Sequence, residues 1–156
     1  MNISKKKKLF LNKKVKYNFY IKKKFISGIE LQGWEVKSIR AGHVQISDGH
    51  VIIKNNEVYL TNVQFQPLIY TSDLKFCLSN RVRKLLLKKK EIFFLKMYSI
   101  KKGYTIVPIK LFWIKSWCKI KIALVKGKSK MDKRQDKRNN SWKIERDTIF
   151  KRILIK

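Results

Sequence analysis

Hydrophobic residues alternate with polar ones along much of the chain up to Val125, and then the alternation stops. In "YNFYIKKKFISGIEL" Tyr17, Phe19 and Ile21 share one face, and the pattern resumes from Phe25 to Leu31. This predicts one long bent strand with Gly28 as its bulge or corner. "GWEVKSIRAG" lies between two glycines and predicts a short helix, with Val36 and Ile39 on one face and Lys37 and Arg40 on another. "HVIIKNNEVYL" predicts a hairpin, because Asn55-Asn56 tolerates the left-handed backbone of a tight turn. Gln66 to Ser79 shows no period and reads as a loop. "NRVRKLLLKKKEIFFLKMYSIKKG" predicts a helix with Val82, Leu85, Leu86 and Phe93 on one stripe, a snorkelling Lys89, and Gly103 at its end. "YTIVPIKLFWI" and "WCKIKIALV" predict a second hairpin around Lys115-Ser116. On its return strand Cys118, Ile120, Ile122 and Leu124 point inward, and Trp117, Lys119, Lys121 and Ala123 outward. The elements together predict a mainly β, α+β fold: a small closed or partly closed antiparallel barrel with helices packed around it.

Beyond Val125 come Lys126, Lys128, Lys130, Lys133, Arg134, Lys137 and Arg138, with Met131 as the one apolar residue among them. A helix here would align Lys130, Arg134 and Arg138 on one ridge. Isolated helices are marginal in water and like charges four residues apart weaken them, so this tail is expected to be disordered when free. Asn139 and Asn140 are poor helix formers and are expected to interrupt any helix that forms. Trp142, Ile149 and Ile153 make the last stretch mildly amphipathic. The expected organisation is a basic arm at 1–11, a barrel at 12–127 and a basic tail at 128–156.

Charge narrows the partner. The formal net charge is +29 over 156 residues, and such self-repulsion is relieved by a polyanion. Nucleic acid leads, and an anionic membrane surface comes second. Part of the excess is compositional: Lys outnumbers Arg by 32 to 7, and Ala occurs only at 41 and 123, the usage of an AT-rich genome. Cys77 and Cys118 have no metal-ligand spacing and imply reduced thiols in the cytosol. "MNISKKKKLF" begins like a signal peptide but lacks an apolar run, and Lys110 and Lys115 split the best apolar stretch. A soluble cytoplasmic protein is expected.

Catalytic patterns are missing from the sequence. The carboxylates are scattered, and there is neither a nucleophile elbow nor a phosphate loop. His43 and His50 flank Asp48 without the spacing of a metal site and read as rim histidines. Neither enzyme activity, a cofactor nor a metal is expected. Cys118, on an inward strand position, reads as a buried structural thiol. Trp34, Trp113 and Trp117 are each more ordinary as core residues than as base-stacking platforms, with Trp117 the best stacking candidate beside Lys119 and Lys121. Runs such as Lys5–Lys8 and Lys88–Lys90 are ordinarily solvated faces.

The order of motifs is more specific. "LQGWEVKSIRAG" followed by "ISDGHVIIKNNEVYL", "RKLLL", "GYTIVPIKLFW", "WCKIKIALVKGK" and "DKR" resembles the SmpB family, the SsrA-binding proteins of bacterial trans-translation, over nearly the whole chain. The resemblance implies an oligonucleotide-binding-like barrel that holds the tRNA-like domain of tmRNA. It also implies a C-terminal tail that becomes helical in the empty mRNA channel and decoding centre of a stalled ribosome. Partners implied are tmRNA, small-subunit RNA and the elongation factor that carries charged tmRNA. Asn12, Leu86 and Lys119 match positions that the family uses for tmRNA, and Lys13, Lys14, Lys37, Arg40, Trp117 and Lys121 complete the candidate tmRNA set. The candidate ribosomal tail comprises Lys126, Gly127, Lys128, Lys130, Met131, Asp132, Lys133, Arg134, Lys137, Arg138, Trp142, Ile149 and Phe150. The chain departs from the family pattern at Ile26 (an acidic position), Tyr17 and Met131 (histidine positions), and "KRNNS" at 137–141. A structural ribosomal protein is the rival reading, and a membrane-surface protein the third.

Overall fold

The computed structural model describes residues 9–68 and 77–154. The expected run Lys5–Lys8 and the middle of the expected loop at 66–79 lie outside them. A short strand β1 (Phe10–Leu11) comes from the end of the expected arm, followed by α1 (Lys14–Asn18) and the long β2 (Phe19–Ile29). Helix α2 (Gly33–Ala41) leads to β3 (Val44–Gln45), β4 (His50–Lys54), β5 (Glu57–Thr61), β6 (Gln64–Phe65) and β7 (Arg83–Leu86). Helix α3 (Lys89–Ser99) precedes the paired β8 (Tyr104–Ile114) and β9 (Trp117–Gly127), and α4 (Lys130–Leu154) ends the chain. Strands neighbour one another in the order β1-β8-β4-β5-β7-β2-β9, and β8 also pairs with β9, so the antiparallel sheet closes on itself. The fold is the mainly β barrel with flanking helices that the alternation predicts. Among the described residues no helix is long and apolar enough to cross a membrane.

Both hairpins form where turn chemistry puts them. Asn55 and Asn56 have φ of 50° and 58°, and Lys115 has φ of 52°. Helix α2 ends on Gly42 in the left-handed region at φ 98°, which a residue with Cβ rarely adopts.

Four expectations are corrected. Tyr17 lies in α1 and not in the strand. The bulge in β2 falls at Lys22, between the pairs Ile21–Val125 and Lys23–Leu124. Gly28 instead keeps a regular ladder position between two neighbours, Leu86 of β7 and Lys119 of β9. The helix expected from Asn80 to Gly103 is two elements: Arg83–Leu86 is a strand, because Arg83 and Leu85 face inward while Lys84 and Leu86 face out, and only Lys89–Ser99 is helical. Helix α4 also runs unbroken through Asn139 and Asn140 for 25 residues.

The barrel interior is filled by Val58, Leu60, Phe65, Leu85, Leu95, Leu111, Ile120, Ile122 and Leu124 among others. A smaller core lies outside the sheet, where Val15 of α1 covers Val107, Ala123 and Val125. Ala123 points outward as expected, yet α1 removes it from water.

Among the described residues Glu35 and Arg83 are the two fully buried charges, each with an exposure of 0%. Arg83 Nε donates to Glu35 Oε1 at 2.7 Å, and Arg81 donates to the same carboxylate through Nε at 2.9 Å and Nη2 at 2.6 Å. The remaining Arg83 donors meet the carbonyls of Val63, Arg81 and Ser79 at 2.7–3.0 Å, and its guanidinium lies 3.9 Å from the Phe65 ring centroid. Gln32 N donates to Glu35 Oε2 at 2.7 Å, so this carboxylate also caps α2. One group thus ties α2, β6, β7 and the segment before β7 together. Burial opposes the Glu35 charge most strongly, but the bonds from Arg81, Gln32 and Arg83 outweigh it and hold the carboxyl below its ordinary 4.5. Burial opposes the Arg83 charge as well and so lowers its pKa, with Glu35 working against it; the guanidinium stays charged regardless.

Glu35→Gln keeps the shape and leaves Arg83 buried beside a neutral amide. It is expected to cost about 3–5 kcal/mol by urea denaturation, whereas Glu57→Gln, at the half-exposed pair with Lys84, is expected to cost far less. A carboxyl whose folded pKa is depressed adds stability above its unfolded value and loses it as pH falls through the folded one. The advantage of the parent chain over Glu35→Gln should therefore hold above 4.5 and shrink progressively below it; an advantage that is flat with pH would show that the Glu35 charge is not what stabilises.

Candidate nucleic-acid interface

Strand β9 carries Trp117, Lys119 and Lys121 on its outer face because alternate residues of a strand point the same way. Trp117 is 74% exposed, the most open of the three expected stacking residues. Trp34 is half-buried against the core and donates its Nε1–H to Gln32 Oε1 at 2.6 Å. Trp113 also packs on the core, with the Arg40 guanidinium 5.7 Å from its ring centroid.

The neighbours of β9 turn this strand face into a surface. Gly28 pairs with Lys119 on one side and Leu86 on the other, and Lys119 pairs onward with Phe112. A row therefore runs across four strands: Leu86, Gly28, Lys119, Phe112. The next row is Ile26, Lys121 and Lys110, with Lys110 Nζ 4.6 Å from the Phe112 ring centroid. Leu86 is 59% exposed and stands over the gap that Gly28 leaves: a Cβ there would lie 3.3 Å from Leu86 Cβ and Cδ1. Leu86 and Lys119, distant in the chain, flank Gly28 in one row because β2 lies between their strands. Cationic tips above exposed apolar surface suit phosphates and the faces of unstacked bases.

Asn12 is not part of this surface. It is 4% exposed, and its Nδ2 donates to the carbonyls of Ser47 at 3.0 Å, Pro108 at 3.3 Å and Ile46 at 3.4 Å while Oδ1 accepts from Lys14 N at 3.1 Å. Its side chain locks the start of α1 to the barrel, and a direct RNA contact would break those bonds. Lys13 and Lys14 sit beside it on the surface, Lys14 paired with Asp48 at 2.9 Å. Lys37 and Arg40 are exposed on α2. Arg40 lies over Trp113, whose ladder partner Cys118 faces away from Lys119, so these two belong to a different side of the barrel.

The tail residues lie on or beside α4. Lys126 and Gly127 close β9, exposed. Lys130, Met131, Arg134, Lys137, Arg138, Trp142, Ile149 and Phe150 are exposed, whereas Lys128, Asp132 and Lys133 are partly covered. Arg134, Lys137, Arg138, Ser141, Trp142 and Glu145 line one shallow groove along the helix. Hydrogen bonds from Ser129 hold the Asp132 carboxyl below the usual carboxylate range.

Three features escape a reading of the sequence alone. The Glu35–Arg83–Arg81 cluster is visible there only as a carboxylate three residues after the N-cap of a helix. The bulge at Lys22 lets Lys22 and Lys23 both turn over an aromatic ladder: Lys22 Nζ is 4.2 Å from the Tyr98 ring centroid and Lys23 Nζ 4.4 Å from that of Phe94. Lys84, Glu57 and Tyr59 form a half-buried hydrogen-bonded group on β7 and β5.

Chemistry for catalysis is sparse. Burial pushes the Cys118 thiol up to about 12, far from a nucleophilic thiolate. His43 and His50 are exposed at the rim. Among the described residues no three of His, Cys, Asp and Glu converge as a metal site.

The comparisons agree with one another. The family model described as SmpB protein matches residues 9–152. The SsrA-binding protein of Buchnera aphidicola subsp. Acyrthosiphon pisum (strain Tuc7) is 45% identical over 148 residues, 95% of this chain and 91% of that protein. Its counterpart in subsp. Schizaphis graminum (strain Sg) is 48% identical over 143 residues, 91% and 88% of the two chains. A solved chain described as "tmRNA-SmpB: a journey to the center of the bacterial ribosome" is 32% identical with a TM-score of 0.65, covering 78% of this chain and 85% of that one. The relatives are named for what they bind and not for a reaction. With its closed β sheet, its exposed basic strand face and its long basic helix, this chain belongs to the SmpB family.

Proposed function

We propose that this chain is a non-enzymatic RNA-binding adaptor of ribosome rescue. It binds the tRNA-like domain of tmRNA and brings it, with the elongation factor that carries charged tmRNA, to ribosomes stalled without a codon. It works in the cytoplasm, where those ribosomes are. The match over residues 9–152 carries this reading. The geometry supports a division of labour within it. The body meets tmRNA through Leu86, Trp117, Lys119 and Lys121, with Asn12 holding the scaffold rather than touching RNA. The tail meets small-subunit RNA in the mRNA channel and decoding centre through the exposed side of α4.

A helix of 25 residues reaches roughly 37 Å, enough to carry Arg134, Lys137, Arg138 and Trp142 well away from the barrel. Its like charges repel one another in solution, and phosphates on the channel wall relieve that repulsion through counterion release. The same reasoning makes Lys119 the strongest single body contact. It projects from a strand paired on both sides, so little ordering accompanies binding, and a charge-assisted bond of this kind is worth roughly 1–3 kcal/mol.

Two outcomes follow from this division. Lys119→Ala is expected to weaken tmRNA binding about tenfold and to flatten its salt dependence by roughly 0.7–0.9. Lys102→Ala, which removes the same charge from an exposed turn, should do neither; equal losses in a gel-shift titration would place the interface elsewhere. A chain stopped after Asp136 should fold and bind tmRNA within about twofold of the full chain, since it loses no barrel burial. It should fail to support peptide tagging on ribosomes stalled on a message without a stop codon. Full tagging by the short chain would reduce the tail to a solvated charge run.

A further inference from the structure

Helix α3 has two apolar faces, and the barrel uses one of them. On the inner face Leu95 is fully buried, and the half-buried Ile92, Phe94 and Tyr98 pack against the core. The Phe94 ring centroid lies 5.9 Å from that of Phe25 and 4.8 Å from that of Tyr98, which in turn meets Tyr104 at 5.6 Å. On the outer face Phe93, Met97 and Ile100 follow one another at i, i+4 and i+7, and they are 66%, 53% and 80% exposed. One exposed apolar side chain is ordinary. Three on a single helical stripe, on a helix already anchored by its other face, make a patch that asks for a partner.

The patch is the floor of a groove of about 700 Å³ between α3 and the turn that joins β4 to β5, with Lys89, Lys96 and Asn56 around it. Lys96 Nζ donates to Asn56 Oδ1 at 2.9 Å, so a neutral amide holds this ammonium at the rim. The single carboxylate of α3, Glu91, accepts from Lys88 N at 2.9 Å at the helix start, and no carboxylate lines the groove. Lys90 before the stripe and Lys101 and Lys102 after it are exposed as well. Leu86, Trp117, Lys119 and Lys121 of the candidate tmRNA surface take no part in it.

The geometry points to a docking site for an acidic amphipathic helix of a partner protein, its apolar anchors in the groove and its carboxylates on the lysine rim. Phe93 to Ile100 spans seven residues, roughly 10 Å of helix, which matches two turns of a partner laid along it. Charge decides between occupants. A second copy would set Lys89 and Lys96 against their own kind in a chain of net charge +29, and Lys5 to Lys8 of the same chain carry the same sign. Carboxylates beside an apolar stripe complement the rim. RNA would satisfy the rim but not the floor, because bases stack on rings and only Phe93 offers one, while Met97 and Ile100 call for aliphatic partners. This inference does not rest on the adaptor reading. Where that reading holds, the separate placement of the two surfaces lets the chain hold tmRNA and the helix together.

The test titrates the full-length chain, at physiological salt, into a fluorescent synthetic helix of about 15 residues, with leucines at i, i+3, i+4 and i+7 and glutamates between them. Two further peptides serve as controls: a scrambled one of the same composition without the stripe, and one with lysine in place of every glutamate. Anisotropy should show saturable one-to-one binding of the acidic helix, and at least tenfold weaker binding of both controls. Phe93→Gln and Met97→Gln, both at exposed positions and neutral, should each weaken it about tenfold. Ile114→Thr, an exposed apolar site outside the groove, should change it less than twofold, and all three variants should keep the parent's melting temperature and tmRNA affinity. No binding, equal binding of the scrambled peptide, or indifference to Phe93→Gln would overturn the proposal. Oligouridine whose own affinity falls about tenfold with Phe93→Gln would overturn it in favour of RNA. A concentration-dependent dimer in sedimentation that Phe93→Gln abolishes would overturn it in favour of a second copy. A parent chain that fails to bind tmRNA would sink the adaptor reading alone, and the peptide titrations would still decide what the groove takes.

Discussion

A carboxylate and a guanidinium removed from water hold this barrel in register. Glu35 and Arg83 face each other inside a chain of net charge +29, and each is costly to bury alone. Glu35 also accepts from Arg81 and from the backbone of Gln32, which fixes the start of α2 and the approach to β7, while its partner Arg83 donates to the carbonyls of Val63 and Ser79. Strand β7 in turn supplies Leu86 to the outer face. Placement of the candidate interface therefore depends on a charge pair at the opposite side of the same strand. Scarcity makes this more telling, since the chain has 10 carboxylates against 39 basic side chains, and one of those few is spent entirely inside.

How much of this was legible in the sequence varies with the kind of signal. Turns that need positive φ, at Asn55-Asn56 and near Lys115, announce themselves through residue type, and so does the glycine that ends α2. The β9 alternation was plain because its inward positions are all apolar. Strand β7 was hidden for the converse reason: its inward pair is Arg83 and Leu85, and an arginine at a core position breaks the binary pattern, leaving Val82, Leu85 and Leu86 to imitate a helical stripe. The bulge at Lys22 falls in the run Lys22–Lys24, which has no apolar period to interrupt. Gly28 was visible as special, but for a close approach to Leu86 and not for a bend.

The candidate site shows a sharper limit. Trp117, Lys119 and Lys121 share a face by strand geometry alone, whereas the alignment of Leu86 with Lys119 in one row requires β2 to lie between β7 and β9, a long-range pairing that no local pattern encodes. Asn12 was singled out by resemblance, yet its burial assigns it to the scaffold. Tail composition argued for a break at Asn139-Asn140, because propensity and repulsion were the only terms available, and α4 instead runs through both.

The central claim is that one chain presents two RNA-binding surfaces with different partners. Ultraviolet cross-linking in cells, followed by identification of both the RNA and the cross-linked peptide, tests it directly. The account predicts tmRNA on peptides from β7 and β9 containing Leu86 or Trp117 to Lys121, and small-subunit ribosomal RNA on α4 peptides beyond Lys133. Cross-links of both RNAs spread over the lysines in proportion to exposure, or tmRNA concentrated on α4, would contradict it.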